Sequence, residues 1–275
     1  MNKILVAFDG THFSEGALNF IRNRNEISKI LVTGVFLPKL DFADLRRSYS
    51  DGMIGPLFIP VEEKPDSSEI EKNILRFEAF CIKNQIEFRV HRDFENFAMP
   101  ELKKETRFAH LLVIGSESFY KNLGTEEPNE YLQDALHSSE CPVVVVPEKY
   151  EFPQSNILTY DGSEASVYAI KQFTYLFPDM TTNNTLLVYA RDHSDKEMPD
   201  EIYIEELVSR SFPNLTIMKL NLEPAKYFAR WLSDKKSAMV ISGSYGRSSF
   251  SSLFKKSFIT GVIKDHKIPA FISHP

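Results

Sequence analysis

A helix and strand near the middle of this chain recur near its end. Tyr131, Leu132, Ala135 and Leu136 match Phe258, Ile259, Val262 and Ile263 at a constant offset of 127 residues, and Pro142 and Pro269 share that offset. Each apolar quartet lies on one helical face, and each proline is followed by a short apolar run that reads as a buried strand. A spacing kept over a whole structural unit restricts the chain to folds built from two copies of that unit.

The rest of the chain fits such a repeat. Ile4 to Phe8 is a strand ending in Asp9-Gly10-Thr11, and Ile157 to Tyr160 is a strand ending in Asp161-Gly162-Ser163. Further strands read over Lys29 to Phe36, Ile86 to Val90, Leu111 to Ile114 and Val143 to Val146. The second copy supplies Leu186 to Tyr189, Leu215 to Met218, Ala238 to Ile241 and Ala270 to Ile272. Helical patterns lie between them: Ile70, Ile74, Phe77 and Cys81 share a face, Pro100 starts a short helix, and Ser163 caps a helix beginning near Glu164. Strands alternating with helices imply an α/β fold, with a parallel sheet, helices on both faces and right-handed crossovers. At 275 residues the chain divides into domains 1–150 and 151–275, with a linker near 148–154. The segment from Pro38 to Pro65 has no sustained period and reads either as a flap over a partner surface or as a tolerated insertion.

Composition narrows the function classes. A net charge of −6 argues against a general nucleic-acid binder, although Arg247, Lys255 and Lys256 form a local basic cluster. No apolar run approaches the ~20 residues of a membrane span, and the start of the chain lacks a signal-peptide pattern, so the expected location is cytoplasmic. Cys81 and Cys141 form no CxxC pair and read as buried free thiols. The seven histidines are scattered without metal-ligand spacing. Trp231, with Tyr227 and Phe228, reads as core packing before a platform for a base.

The stretch from Val240 to Ser257, VISGSYGRSSFSSLFKKS, speaks most directly of function. It runs strand, polar loop, helix, and such a unit points unpaired N–H groups and a positive helix end at whatever lies beyond the strand, which suits a phosphate. Gly243-x-x-Gly246, nine residues, then position 256 and Ser257, resembles the G-x2-G-x9-G-[S/T] nucleotide loop of universal stress proteins. The departure is Lys256, where that family has its third glycine. The resemblance covers nearly the whole chain and recurs in both halves. It implies two tandem Rossmann-like α/β sandwiches of strand order 3-2-1-4-5, paired through their fifth strands as an internal pseudo-dimer, with further pairing into a homodimer left open. It also implies a site in the second half for ATP or another adenine nucleotide, with or without Mg2+. Asp161 would lie near base and ribose with Thr159 beside it, and Gly243, Gly246, Arg247 and Ser257 would surround the phosphates. Lys256 either obstructs the phosphate through its Cβ or holds it through its ammonium. A Walker A loop is excluded, because position 255 is Lys where that motif needs Gly.

In the first half Gly115 is kept, Ser118 stands at the second glycine position, and the helix offset sets Asn129 and Glu130 against Lys256 and Ser257. Glu126, Glu127 and Glu130 place carboxylates where phosphates would sit and could satisfy the helix N-terminus themselves, so no triphosphate site is expected in 1–150. Asp9 needs no ligand to explain it, since Asp-Gly after a strand forms a turn.

Three functional readings follow. The first is a stress-response protein whose second half binds an adenine nucleotide as a sensing or regulatory module, while the first half serves structure or an unknown protein partner. The second is a scaffold that binds no nucleotide and acts through protein contacts. The third, a hydrolase or phosphotransferase, lacks a metal-holding acid and a residue to position the nucleophile, so the expectation is no enzyme, or at most weak ATP hydrolysis. Ser163 sits in no nucleophile elbow, and the serines at 248, 249, 251 and 252 read as a flexible flap or a phosphorylation target.

Overall fold

The computed structural model describes residues 1–37, 67–92, 98–121, 128–191, 197–221, 231–232, 235, 237–243 and 258–275. In chain order the elements are β1 (Lys3–Phe8), α1 (Glu15–Ile27), β2 (Leu31–Phe36), α2 (Ser67–Lys83), β3 (Glu87–Arg92), α3 (Ala98–Arg107), β4 (Leu111–Gly115), α4 (Glu130–Ser138) and β5 (Val143–Val146). They continue with β6 (Ser155–Tyr160), α5 (Glu164–Leu176), a 3-10 turn at Pro178–Thr182, β7 (Asn184–Arg191), α6 (Glu201–Ser211), β8 (Leu215–Asn221), β9 (Ala238–Ser242), α7 (Phe258–Lys264) and β10 (Ala270–Ile272).

All ten strands form one sheet of order β3-β2-β1-β4-β5-β10-β9-β6-β7-β8. Residues 3–146 therefore have the strand order 3-2-1-4-5, and 155–272 repeat it. Every pairing is parallel except that of β5 with β10, where Val143, Val144 and Val145 face Ile272, Phe271 and Ala270. The fifth strands join the halves, as the family resemblance implies.

The central strands are nearly continuous apolar runs because both faces are covered, whereas the edge strands β3 and β8 carry exposed polar residues. Ile4, Val6 and Phe8 of β1 enter one core, with Leu18 and Phe20 of α1 and Ile74 and Phe77 of α2. Leu5 and Ala7 point the other way, into a second core with Leu102 of α3 and Leu132 and Leu136 of α4. Each core continues across the β5–β10 seam: the first takes in Phe173, Phe177 and Phe271, the second Val262, Ile263 and Ile272. Burial of these side chains, worth ~1.5–3 kcal/mol each, drives the two halves onto one sheet.

Helix starts follow the expected chemistry. Ser14 caps α1 by accepting the Ala17 N–H, and Ser163 caps α5 by accepting the Ser166 N–H. Helix α3 begins two residues before Pro100, which then sits in the first turn, where its missing N–H costs nothing. The 3-10 turn was not anticipated. Pro178 opens it, and its Asp179 grips Arg24 of α1 through two bonds of 2.5 and 2.9 Å.

Candidate functional site

A sheet of order 3-2-1-4-5 has its topological switch point between the first and fourth strands, where successive crossovers leave in opposite directions and open a crevice. This protein has two such places. One lies beyond the carboxyl ends of β1 and β4, marked by Asp9 and Gly115. The other lies beyond β6 and β9, where a parallel register setting Leu158 opposite Ile241 brings Asp161 and Gly243 to one edge.

The first crevice is filled by the chain itself. Asp9 is buried, and its Oδ1 accepts the N–H groups of Thr11 at 2.9 Å and His12 at 2.7 Å. Its Oδ2 accepts the Tyr120 N–H at 2.8 Å and lies 2.7 Å from His12 Nδ1. The carboxylate thus ties the turn after β1 to the turn after β4. Tyr120, held at a φ of 53°, is buried, and its hydroxyl donates to the Leu37 carbonyl at 2.9 Å. Its ring stacks on Tyr131 with centroids 4.1 Å apart. Burial, with the charges of Asp9 and Tyr131 as smaller causes, raises the Tyr120 pKa far above its ordinary value, so the phenol stays protonated. The N-terminus of α4 is closed as well, by Asn129, whose Oδ1 accepts the Leu132 N–H at 2.9 Å while its Nδ2 donates to the Phe119 carbonyl at 2.7 Å. The Leu132 N–H is thus taken by an amide and not by a carboxylate. Glu130 is exposed, and an amide can both accept from the helix and donate to the loop, which a carboxylate cannot. Glu126 and Glu127 lie outside the described residues.

The second crevice is built on the same plan, with fewer internal partners seen among the described residues. Asp161 is half-buried, and among the described residues its carboxylate accepts one N–H, that of Ser163 at 2.9 Å. A carboxylate has about four acceptor positions, and among the described residues one N–H is seen on this one. Gly162 follows at a φ of 80°, with Pro199 packed where a Cβ would point. Thr159 is buried, and its hydroxyl donates to the Ile241 carbonyl at 2.9 Å, which pins β6 to β9. Gly243 packs so closely on the first turn of α5 that a Cβ there would lie 2.6 Å from the Ala165 carbonyl carbon and the Ser166 nitrogen. Close packing is a complete reason for a glycine at this position. Gly115 meets the same demand against α1, where a Cβ would strike the hydroxyls of Ser14 and Ser118. Gly246, Arg247, Lys256 and Ser257 lie outside the described residues, as do the Pro38 to Pro65 segment, the serines at 248–252, Tyr227 and Phe228.

Of the seven predicted site residues, the structure brings Thr159, Asp161 and Gly243 to one edge. Sequence reasoning missed Tyr120 and Asn129, whose closing of the first crevice depends on contacts between residues far apart in the chain. No group of His, Cys, Asp and Glu that could hold a metal ion occurs among the described residues, and no described helix is long and apolar enough to cross a membrane.

Fold and crevices together define a doubly wound α/β protein with two switch points in one continuous sheet. No protein-family model matches the sequence, and no curated protein does. Among solved structures, the fold is shared with a universal stress protein from Archaeoglobus fulgidus DSM 4304, with a TM-score of 0.71 over 99% of this chain and 96% of that one. At 16% identity the likeness is one of fold.

Proposed function

We propose that this chain is a tandem protein of the universal stress type that binds one adenine nucleotide, ATP first, at the switch point of its second half, as a sensing or regulatory module. The observation that carries the proposal is the contrast between the two aspartates. Asp9 is buried with its acceptors occupied by Thr11, His12 and Tyr120, whereas Asp161 is half-buried with one N–H partner among the described residues. A carboxylate with unused acceptors at a switch point can take ribose hydroxyls or the adenine amino group. Lys256, Arg247 and the N–H groups of the Gly243–Ser257 loop would then meet the phosphates, and Mg2+, where present, would be shared with the phosphate oxygens. The first half would serve structure and protein contacts. Nothing in this reading requires turnover.

The close packing of Gly243 favours a second reading, a scaffold that binds no nucleotide, because it accounts for the glycine without a ligand. Calorimetric titration with ATP separates the two. Wild type should bind one equivalent, and Asp161→Ala should weaken binding by about tenfold or more, the loss of one or two charge-assisted hydrogen bonds. Binding of equal strength in both proteins would exclude Asp161 from the site, and no binding in either would leave the scaffold.

A further inference from the structure

Where the two halves meet, at the opposite edge of the sheet from Asp161, lies a depression of about 450 Å³ lined by Lys149, Glu151, Lys235, Ser237, His266 and Lys267. These residues come from three places: the linker after β5, the turn leading into β9 and the turn leading into β10. In a chain of net charge −6, three lysines and a histidine here face one carboxylate among the described residues. That carboxylate is engaged, since Glu151 accepts the Ser237 hydroxyl. Lys235 stands over the Trp231 ring, 4.5 Å from its centroid. Lys149 and Lys267 are exposed and form no ion pair among the described residues. Asp265, in the same turn as His266, does not line the depression. Cations gathered on a concave surface repel one another and focus positive potential into it, which favours a multiply charged anion.

The turns that carry these groups are fixed in place. Ser237 and His266 both sit in the left-handed region, at φ 50° and 46°. The Ser237 carbonyl accepts the N–H groups of Gln154 at 2.7 Å and Ser155 at 3.1 Å. His266 Nδ1 lies 2.8 Å from the hydroxyl of Ser116, which follows β4 in the first half. Backbone held in uncommon conformations by surrounding bonds is a recurrent property of binding sites. We propose that this depression is an anion site for linked phosphoryl groups, in which Lys149, Lys235 and Lys267 neutralise the charge and His266, oriented by Ser116, supplies a ring nitrogen to an oxygen. Linked phosphates suit it better than a single one, because the cations are spread around a cavity large enough for several phosphoryl groups. Two sources share that chemistry, a free polyphosphate chain and the phosphate tail of a nucleotide.

The test is calorimetric titration of the full chain with sodium tripolyphosphate at low ionic strength, with circular dichroism to confirm that each variant is folded. Wild type should bind it, and the double variant Lys149→Gln/Lys267→Gln should bind about tenfold or more weakly, since it loses two charge-assisted contacts. Arg247→Gln/Lys256→Gln, which removes the cations proposed to meet phosphates at the switch point, should leave the tripolyphosphate affinity unchanged, which separates the seam from that site, so either site can fail without the other. Competition by ATP but not AMP would identify a nucleotide tail as the source, and no competition by either would identify a free chain. Absence of binding by wild type, or binding that survives the double substitution, would overturn the proposal.

Discussion

Asp9 and Asp161 end equivalent strands and are both followed by glycine, yet their surroundings assign them different work. Asp9 is a structural acceptor for Thr11, His12 and Tyr120. Asp9→Ala should therefore lower stability by about 2–4 kcal/mol, because it strands buried N–H groups, whereas Asp161→Ala should cost less than about 1 kcal/mol. Urea denaturation of the two variants measures the difference, and equal losses would contradict it. The thiols give a prediction of their own. Burial, with the charge of Glu78 adding to it, pushes Cys81 from an ordinary 9.0 up to about 12. Burial pushes Cys141 up to about 12 as well, against the hydrogen bond from Ser139, which lowers it. A group whose folded pKa is raised stabilises fully below its unfolded pKa, and that contribution is lost as pH rises toward the folded value. Stability should thus fall between pH 9 and 12 by up to ~1.4 kcal/mol per pH unit for each thiol. Urea midpoints across that range should drop less steeply in Cys141→Ala, and an unchanged slope would remove the thiol from the account.

At the scale of elements, the parts that follow from local pattern were legible and those that depend on distant partners were not. Most of the ten described strands were readable because a parallel strand covered on both faces is a nearly unbroken apolar run, as in Val143–Val146, and the edge strands β3 and β8 are the exceptions to that pattern. Ser163 was readable as a cap because a serine before Glu164 is a local signal. The 3-10 turn at Pro178–Thr182 carries no such signal, since its role comes from Arg24, 155 residues away in the chain. Arg24 is nearly inaccessible, with its guanidinium 4.8 Å from the Phe177 ring centroid and bidentate to Asp179. Removing Asp179 leaves the buried Arg24 charge unpaired, and removing Arg24 leaves the half-buried Asp179 carboxylate without its bidentate partner. Arg24→Met should lose about 2–4 kcal/mol, and the double variant Arg24→Met/Asp179→Asn should lose less than the two single losses added together. Additive losses in this double-mutant cycle would show that the pair does not couple α1 to the second half.

On the scale of the molecule, one sheet with its antiparallel join at β5–β10 makes the two halves a pseudo-dimer whose cores are continuous. The repeat was legible because the 127-residue offset ties α4 and β5 to α7 and β10, while the join through the fifth strands followed from the family resemblance. The site was legible only in part. Gly243 came from the loop spacing and Asp161 from the family resemblance, and both reach one edge, but the reason for Gly243 visible in the fold is its packing on Ala165 and Ser166, which no local motif carries. For the first half, missing glycines and excess acids argued against a triphosphate site. Its physical cause is different: Tyr120, Tyr131 and Asn129 occupy the space and close the helix end. The central claim is that one half of this pseudo-dimer binds an adenine nucleotide and the other does not. Mass spectrometry of nucleotide released from freshly purified, denatured protein tests it most directly, with saturating ATP added before desalting. The account expects close to one adenine nucleotide per chain, lost in Asp161→Ala and kept in Tyr120→Phe. None, or a second nucleotide that persists in Lys149→Gln/Lys267→Gln, would contradict it.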